Sequence, residues 1–156
     1  MEIERKWLVR RLPTDTPAEV AICEQLYVSL EPEVRLRKYV TQAENHIPFR
    51  LAIKGNGTLV REEIQEAVSE EFYNEVKRFV GKEPITKRCY NYNIGGCEIC
   101  ISDVDTGVFM YAEVEFETEE DADNYVFPWP ELIIREVTNE KEYKMKNYWK
   151  RTRLDQ

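Results

Sequence analysis

Two stretches of this chain place charged residues on alternate positions, and together they constrain its fold more than any other feature. In Met1-Glu2-Ile3-Glu4-Arg5-Lys6-Trp7-Leu8-Val9, Glu2, Glu4 and Lys6 share one side of an extended strand, and Ile3, Trp7 and Val9 share the other. Ala112-Glu113-Val114-Glu115-Phe116-Glu117 repeats the pattern, with three glutamates on one face and Val114 and Phe116 on the opposite one. A lone half-buried strand of this kind turns its apolar side to a core and its charges to water. Three carboxylates in a row repel one another, however, and need water, cations or a shifted pKa to coexist. Other strands supply cations: Arg35 and Arg37 share a face in Val34-Arg35-Leu36-Arg37-Lys38-Tyr39, Lys54 follows Leu51 and Ile53, and Arg61 and Glu63 alternate with Val60 and Ile64. If these faces point inward, a closed antiparallel sheet encloses a lumen lined by carboxylates and cationic side chains together.

The remaining pattern agrees with such a sheet. Strands are predicted at 2–9, 23–30, 34–40, 49–54, 58–67, 86–94, 97–103 and 110–116, most of them joined by short turn segments such as Glu31-Pro32-Glu33, Gly55-Asn56-Gly57 and Gly95-Gly96. Short connections favour hairpins over helical crossovers. Three helices are expected. One is capped by Ser69 and stopped at Gly81, with an apolar stripe of Phe72, Val76, Phe79 and Val80. A shorter one starts at Thr118 and ends with Tyr125-Val126-Phe127 before Pro128, and a third runs from about Asn139 to Leu154. The basic stripe of the third reads as a solvated face. The fold class is α+β, mainly β.

A chain of 156 residues suits one domain spanning 1–156. With 22 Lys and Arg against 30 Asp and Glu the net charge is −8, which argues against binding to nucleic acid or to an anionic membrane. The sequence has no run of about 18 apolar residues and no signal-peptide core at its charged start, so a cytoplasmic protein is expected. Cys23, Cys89, Cys97 and Cys100 then read as reduced thiols. Cys97-Glu98-Ile99-Cys100 on a strand points its two thiols to opposite faces, unlike a zinc site. His46, in the polar stretch 42–46, reads as a solvated loop residue, and no Gly-x-x-x-x-Gly-Lys segment is present to cradle a nucleotide. A lumen of mixed charge has one evident chemical use. Arg and Lys can hold polyphosphate oxygens, and carboxylates can hold the divalent cations, Mg²⁺ or Mn²⁺, that neutralise the rest.

Glu2-Ile3-Glu4-Arg5-Lys6 fits an N-terminal ExExK motif. It is followed, in matching order and approximate spacing, by Arg35-Leu36-Arg37, Lys54, Arg61 with Glu63, Arg88, Ala112-Glu113-Val114-Glu115 and Glu136-Val137-Thr138, with Tyr143 and Asn147 near the end. Over nearly its whole length the chain thus resembles the CYTH domain proteins of the triphosphate tunnel metalloenzyme superfamily. The resemblance implies an eight-stranded antiparallel closed β-barrel with flanking helices, its charged faces inward. It also implies a divalent-metal-dependent triphosphatase acting on inorganic tripolyphosphate or a nucleoside triphosphate. A class IV type adenylate cyclase, a thiamine triphosphatase and a non-catalytic polyphosphate or nucleotide binder remain alternatives, and a homodimer is compatible with it. On this resemblance Glu2, Glu4, Glu63, Glu113 and Glu115 hold Mg²⁺ or Mn²⁺. Lys6, Arg35, Arg37, Lys54, Arg61, Arg88 and Arg135 hold the triphosphate, and Glu2, Glu4, Lys6 and Arg88 take part in catalysis. Three positions depart from the pattern. Thr86 fills the lysine slot of a Lys-x-Arg motif, with Lys87 expected to face outward, and Gln65 and Cys100 stand where carboxylates are common.

Overall fold

A computed structural model describes residues 1–40 and 47–155, so His46 and its polar stretch lie outside the described residues. In chain order the elements are β1 (Glu2–Val9), β2 (Glu19–Leu30), β3 (Glu33–Tyr39), β4 (Phe49–Lys54), β5 (Val60–Arg61), β6 (Glu63–Ala67), α1 (Glu70–Val80), β7 (Ile85–Ile94), β8 (Cys97–Val104), β9 (Phe109–Glu115), α2 (Glu119–Asn124), β10 (Ile133–Glu136) and α3 (Met145–Trp149). The sheet runs in the order β10-β1-β9-β8-β7-β2-β3-β4-β6, and β5 pairs back onto β1. All ladders are antiparallel.

The closure comes from one run of chain that changes partner. β5 pairs with β1, setting Arg61 opposite Glu2, and β6 pairs with β4, setting Glu63 opposite Lys54. The break at Glu62 therefore carries the chain from one edge of the sheet to the other and makes a nearly closed barrel. The predicted strands are all present, but the count differs from eight: the 58–67 run is split in two and starts at Val60, and β10 is additional. β10 lies beside Trp7 to Val9 on the same edge of β1 that β5 uses near its start. Gly55-Asn56-Gly57 is not a tight hairpin turn. It opens a longer excursion that delivers β5 to β1, pinned by Gly55 N–H donating to Glu62 O at 2.9 Å and Glu4 N–H donating to Leu59 O at 3.0 Å. A Cβ at Gly57 would lie 2.1 Å from Val60 O, so the excursion needs glycine there.

The helices start where their caps place them. Ser69 Oγ accepts from Phe72 N–H at 3.0 Å, and Thr118 Oγ1 accepts from Asp121 N–H at 3.0 Å. α2 stops at Asn124, earlier than its apolar continuation suggested, because Tyr125 is already extended. The expected third helix is broken into a 3-10 turn at Lys141–Tyr143, α3, and a π-turn at Lys150–Leu154. Lys144 has extended backbone, φ −69° and ψ 135°, and interrupts it.

The apolar side of the sheet faces away from the lumen. Trp7, Ile99, Ile101, Ala112 and Val114 pack under Phe127, Trp129 and Leu132, with Trp7 and Phe127 ring centroids 5.0 Å apart. Leu26 and Leu36 pack with Tyr73 of α1, and the same cluster takes in Tyr27, Tyr148 and Trp149. The hydrophobic energy of the fold is thus gathered around the barrel wall, which leaves its inside to charge.

Candidate active site

Strand alternation and ladder register fix which side chains meet inside the barrel. Glu4 lies opposite Glu115 and Lys6 opposite Glu113 across β1 and β9. Tyr27 lies opposite Arg35, Arg37 opposite Arg50, and Lys54 opposite Glu63 on the other wall. Two connected cavities result. A narrower one is lined by Lys6, Arg35, Lys54 and Arg61, and a wider one by Arg50, Glu98, Cys100 and Glu115. Glu4, Arg37, Lys87 and Glu113 line both. The segment from Val137 to Met145 lies against the narrower cavity, tied there by Lys6 Nζ donating to Tyr143 O at 2.7 Å and Lys144 Nζ donating to Gly57 O.

The cations fall into two groups. Lys54 and Arg61 are committed to carboxylates. Lys54 Nζ donates to Glu2 at 3.2 and 3.3 Å, Arg61 Nε to Glu2 Oε1 at 3.2 Å, and Arg61 Nη1 to Glu33 Oε1 at 3.1 Å. Lys54 Nζ also lies 3.7 Å from Glu63 Oε1. Arg35 is only 7% exposed, yet among the described residues it has neither a hydrogen bond nor an ion pair. Among the described residues Lys87 reaches the Tyr111 hydroxyl, at 3.0 Å, and the Tyr111 ring, and Lys6 reaches the Tyr143 carbonyl and the same ring, 4.1 Å from its centroid, and neither ammonium hydrogen-bonds a carboxylate. Burial of such charges is costly unless something pairs with them. A bound anion is the natural partner.

On the acidic side, carboxylate oxygens of Glu2, Glu4 and Glu115 lie within 4.8 Å of one another. Burial and the neighbouring Glu113 and Glu2 push Glu4 well above the usual carboxylate range. Burial, Glu2 and Glu113 likewise raise Glu115. Burial acts to raise Glu2 and Glu113 too. Lys54 and Arg61 outweigh it at Glu2 and hold that group below its ordinary value, and Lys6, Lys87 and the hydrogen bond with Glu4 bring Glu113 down to about 2. An all-oxygen donor set crowded by its own repulsion is the chemistry that suits Mg²⁺ or Mn²⁺, so the residues present fit such an ion.

Most predicted residues meet in this interior, although the carboxylates do not form one group. Glu2, Glu4 and Glu115 cluster, Glu63 is taken up by Lys54 and by Gln65, and Glu113 bridges toward Lys6 and Lys87. Two predictions are corrected. Arg88 is exposed on the outer face, one residue out of phase with Ile85, Lys87 and Cys89, and Lys87 is the residue that points inward, buried to 5%. Arg135 on β10 is exposed and holds Glu140 at 3.0 Å and the Tyr143 hydroxyl at 3.3 Å, away from the cavity lining. The signal for Lys87 lay in Tyr90, Tyr92 and Ile94, whose apolar alternation packs on the outer cluster and sets 87, 89 and 91 inward. Glu33 and Arg50 were also missed, because a strand end and a second arginine in Phe49-Arg50-Leu51 look like surface. Trp7 and Trp129 pack outside the barrel, whereas Tyr27 lines the narrower cavity. Cys97 joins the outer cluster and Cys100 the lumen, on opposite faces as the strand spacing predicted.

Comparison with solved structures agrees with this layout. The chain is similar to NE1496, in a structure described as that of an inorganic triphosphatase, at 25% identity over 95% of this chain and 93% of that chain, with a TM-score of 0.61. A second NE1496 structure gives 26% identity over 95% and 97% of the two chains at the same TM-score of 0.61. These neighbours bear out the resemblance to the CYTH-type triphosphate tunnel proteins. The tunnel fold also matches a Bacillus halodurans protein, described as a candidate adenylate cyclase, at 14% identity over 79% of this chain and 84% of that chain, TM-score 0.53. No family model matches the sequence, and no curated protein matches it significantly. Among the described residues no helix is long and apolar enough to cross a membrane.

Proposed function

We propose that this tunnel domain is a divalent-metal-dependent triphosphatase that cleaves inorganic tripolyphosphate or a nucleoside triphosphate. The observation that carries the reading is that Arg35, Lys6 and Lys87, which among the described residues have no carboxylate hydrogen-bonded to them, open into the same interior as the Glu2, Glu4 and Glu115 cluster. Similarity to a protein described as an inorganic triphosphatase supports it.

The roles follow from the contacts. Glu2, Glu4 and Glu115 would hold Mg²⁺ or Mn²⁺, which when bound supplies Lewis-acid neutralisation of phosphate oxygens. Arg35 and Lys6 grip those oxygens directly. Lys54 and Arg61 are pre-oriented by Glu2, Glu33 and Glu63, so they add positive potential with little reorganisation. Arg37 and Lys87 sit where the two cavities meet and oppose the charge that builds on the leaving phosphate. Water attacks the terminal phosphorus in line, its bond to the bridging oxygen breaks, and tripolyphosphate yields orthophosphate and pyrophosphate.

Product analysis on tripolyphosphate and ATP with Mg²⁺ or Mn²⁺ tests the reading. Orthophosphate release supports hydrolysis. Cyclic AMP with pyrophosphate from ATP would assign cyclisation instead, and phosphate-free binding that raises the melting temperature would assign a non-catalytic binder.

A further inference from the structure

At the wider opening, Arg37 on β3 and Arg50 on β4 stand directly opposite each other in the ladder, and both line the cavity. Directly opposite residues of an antiparallel pair have Cβ atoms about 4.5–5.5 Å apart, and like charges placed so repel. On its other flank Arg50 meets Ala67, and the next inward pair is Ala52 with Gln65, none of them charged. Among the described residues Arg50 makes no hydrogen bond and no ion pair, and the buried Nε atoms of both Arg50 and Arg37 lack an acceptor. Arg37 does donate to Gln25 Oε1 at 3.0 Å and to the Tyr39 hydroxyl at 3.4 Å, but both partners are neutral. Among the described residues, Arg37 and Arg35 repel the Arg50 charge, and Tyr39 and the Glu63 carboxylate offset them less than burial and that repulsion together. The four carboxylates that line this cavity, Glu4, Glu98, Glu113 and Glu115, stand on β1, β8 and β9, away from β3 and β4 in the sheet path, and none pairs with Arg37 or Arg50 among the described residues. The described residues therefore leave this arginine pair unbalanced.

Arg50 lines the wider cavity and not the narrower one, whereas Arg37 lines both. An anion between the two guanidiniums would thus continue the line of cations that holds the triphosphate. Planar arginine forks match phosphate oxygens two at a time. Resting on the triphosphatase reading above, we propose that Arg37 and Arg50 form an additional anion subsite at the wider opening, which takes the fourth phosphate of a linear polyphosphate whose first three lie deeper in the tunnel.

Calorimetric titration in chelator, where no turnover occurs, compares tripolyphosphate with linear tetrapolyphosphate on the wild type, Arg50→Gln and the outer-face control Arg88→Gln. The wild type is expected to bind tetrapolyphosphate about tenfold more tightly. Arg50→Gln should lose that advantage while keeping tripolyphosphate affinity within about twofold, and Arg88→Gln should change neither. Free of ligand, Arg50→Gln should melt no lower than the wild type, since it relieves repulsion. Equal wild-type affinity for the two chains overturns the subsite, as does a variant that weakens both equally. Failure of the wild type to bind either chain overturns the triphosphate reading beneath it as well.

Discussion

Lys87 and Arg88 are adjacent in sequence and stand on opposite sides of the barrel wall. Only Lys87 can act on a ligand in the tunnel. Lys87→Ala should lower kcat/KM for phosphate release by about 100-fold, the usual scale for removing one preorganised charge at a phosphoryl-transfer site, while Arg88→Ala should stay within about twofold of wild type. Steady-state kinetics on the two variants checks this, and the reverse order of effects would put the strand in the opposite phase. The pair also shows where sequence is sufficient and where it is not. Glu2, Glu4, Lys6, Glu113 and Glu115 were legible because each sits in an unbroken alternation whose apolar half is unambiguous. On β7 the charges lie at its start, Thr86-Lys87-Arg88, and both phases offer a cation. Only the later Tyr90 and Tyr92 decide which phase is buried outward. Arg50 was illegible for a different reason: its meaning depends on the register that sets it against Arg37.

At the level of elements, the sheet was readable and the chain's last third was less so. Strands of seven or more residues carry enough period-two signal to be seen, but the four residues of β10 after Pro128-Trp129-Pro130 do not. The basic stripe from Asn139 to Leu154 suggested one solvated helix, whereas Met145, Tyr148 and Trp149 are buried. The outer cluster should dominate stability. Trp7, 3% exposed, packs on Phe127 and Tyr125, and Trp7→Ala should cost roughly 3–5 kcal/mol in chemical denaturation. The C-terminal turns are held by Asp105, which accepts from Arg153 Nη1 at 2.9 Å, from the Tyr148 hydroxyl at 2.6 Å and from Thr86 N–H at 3.0 Å. Burial works to raise Asp105, but Arg153, Tyr148 and the Thr86 amide outweigh it and hold it below its ordinary value. A depressed folded-state pKa contributes stability that is complete above the unfolded value, about 3.9, and is lost as pH falls through the folded one. Asp105→Asn should therefore melt below wild type at neutral pH, and the gap should close as pH drops below about 4. Melting curves across that range test it, and a gap that widened in acid would contradict the assignment.

For the molecule as a whole, the distribution of charge matters more than its sum. A chain of net charge −8 confines a set of cations inside a barrel whose hydrophobic packing lies around the wall, and its own carboxylates answer only some of them. Lys54 and Arg61 are held in place by glutamates, Arg35, Lys6 and Lys87 face the interior with no carboxylate hydrogen-bonded to them among the described residues, and Glu2, Glu4 and Glu115 crowd together beside them. On the proposed function, an anion and a divalent cation entering together would balance this interior. The central claim is that this arrangement cleaves a triphosphate. Orthophosphate release from tripolyphosphate with Mn²⁺, measured for the wild type and for Glu4→Gln with and without chelator, tests it most directly. The account predicts release by the wild type that chelator abolishes and that Glu4→Gln lowers by about 100-fold or more without lowering the melting temperature. Release that survives chelator, or an equally active Glu4→Gln, would contradict it.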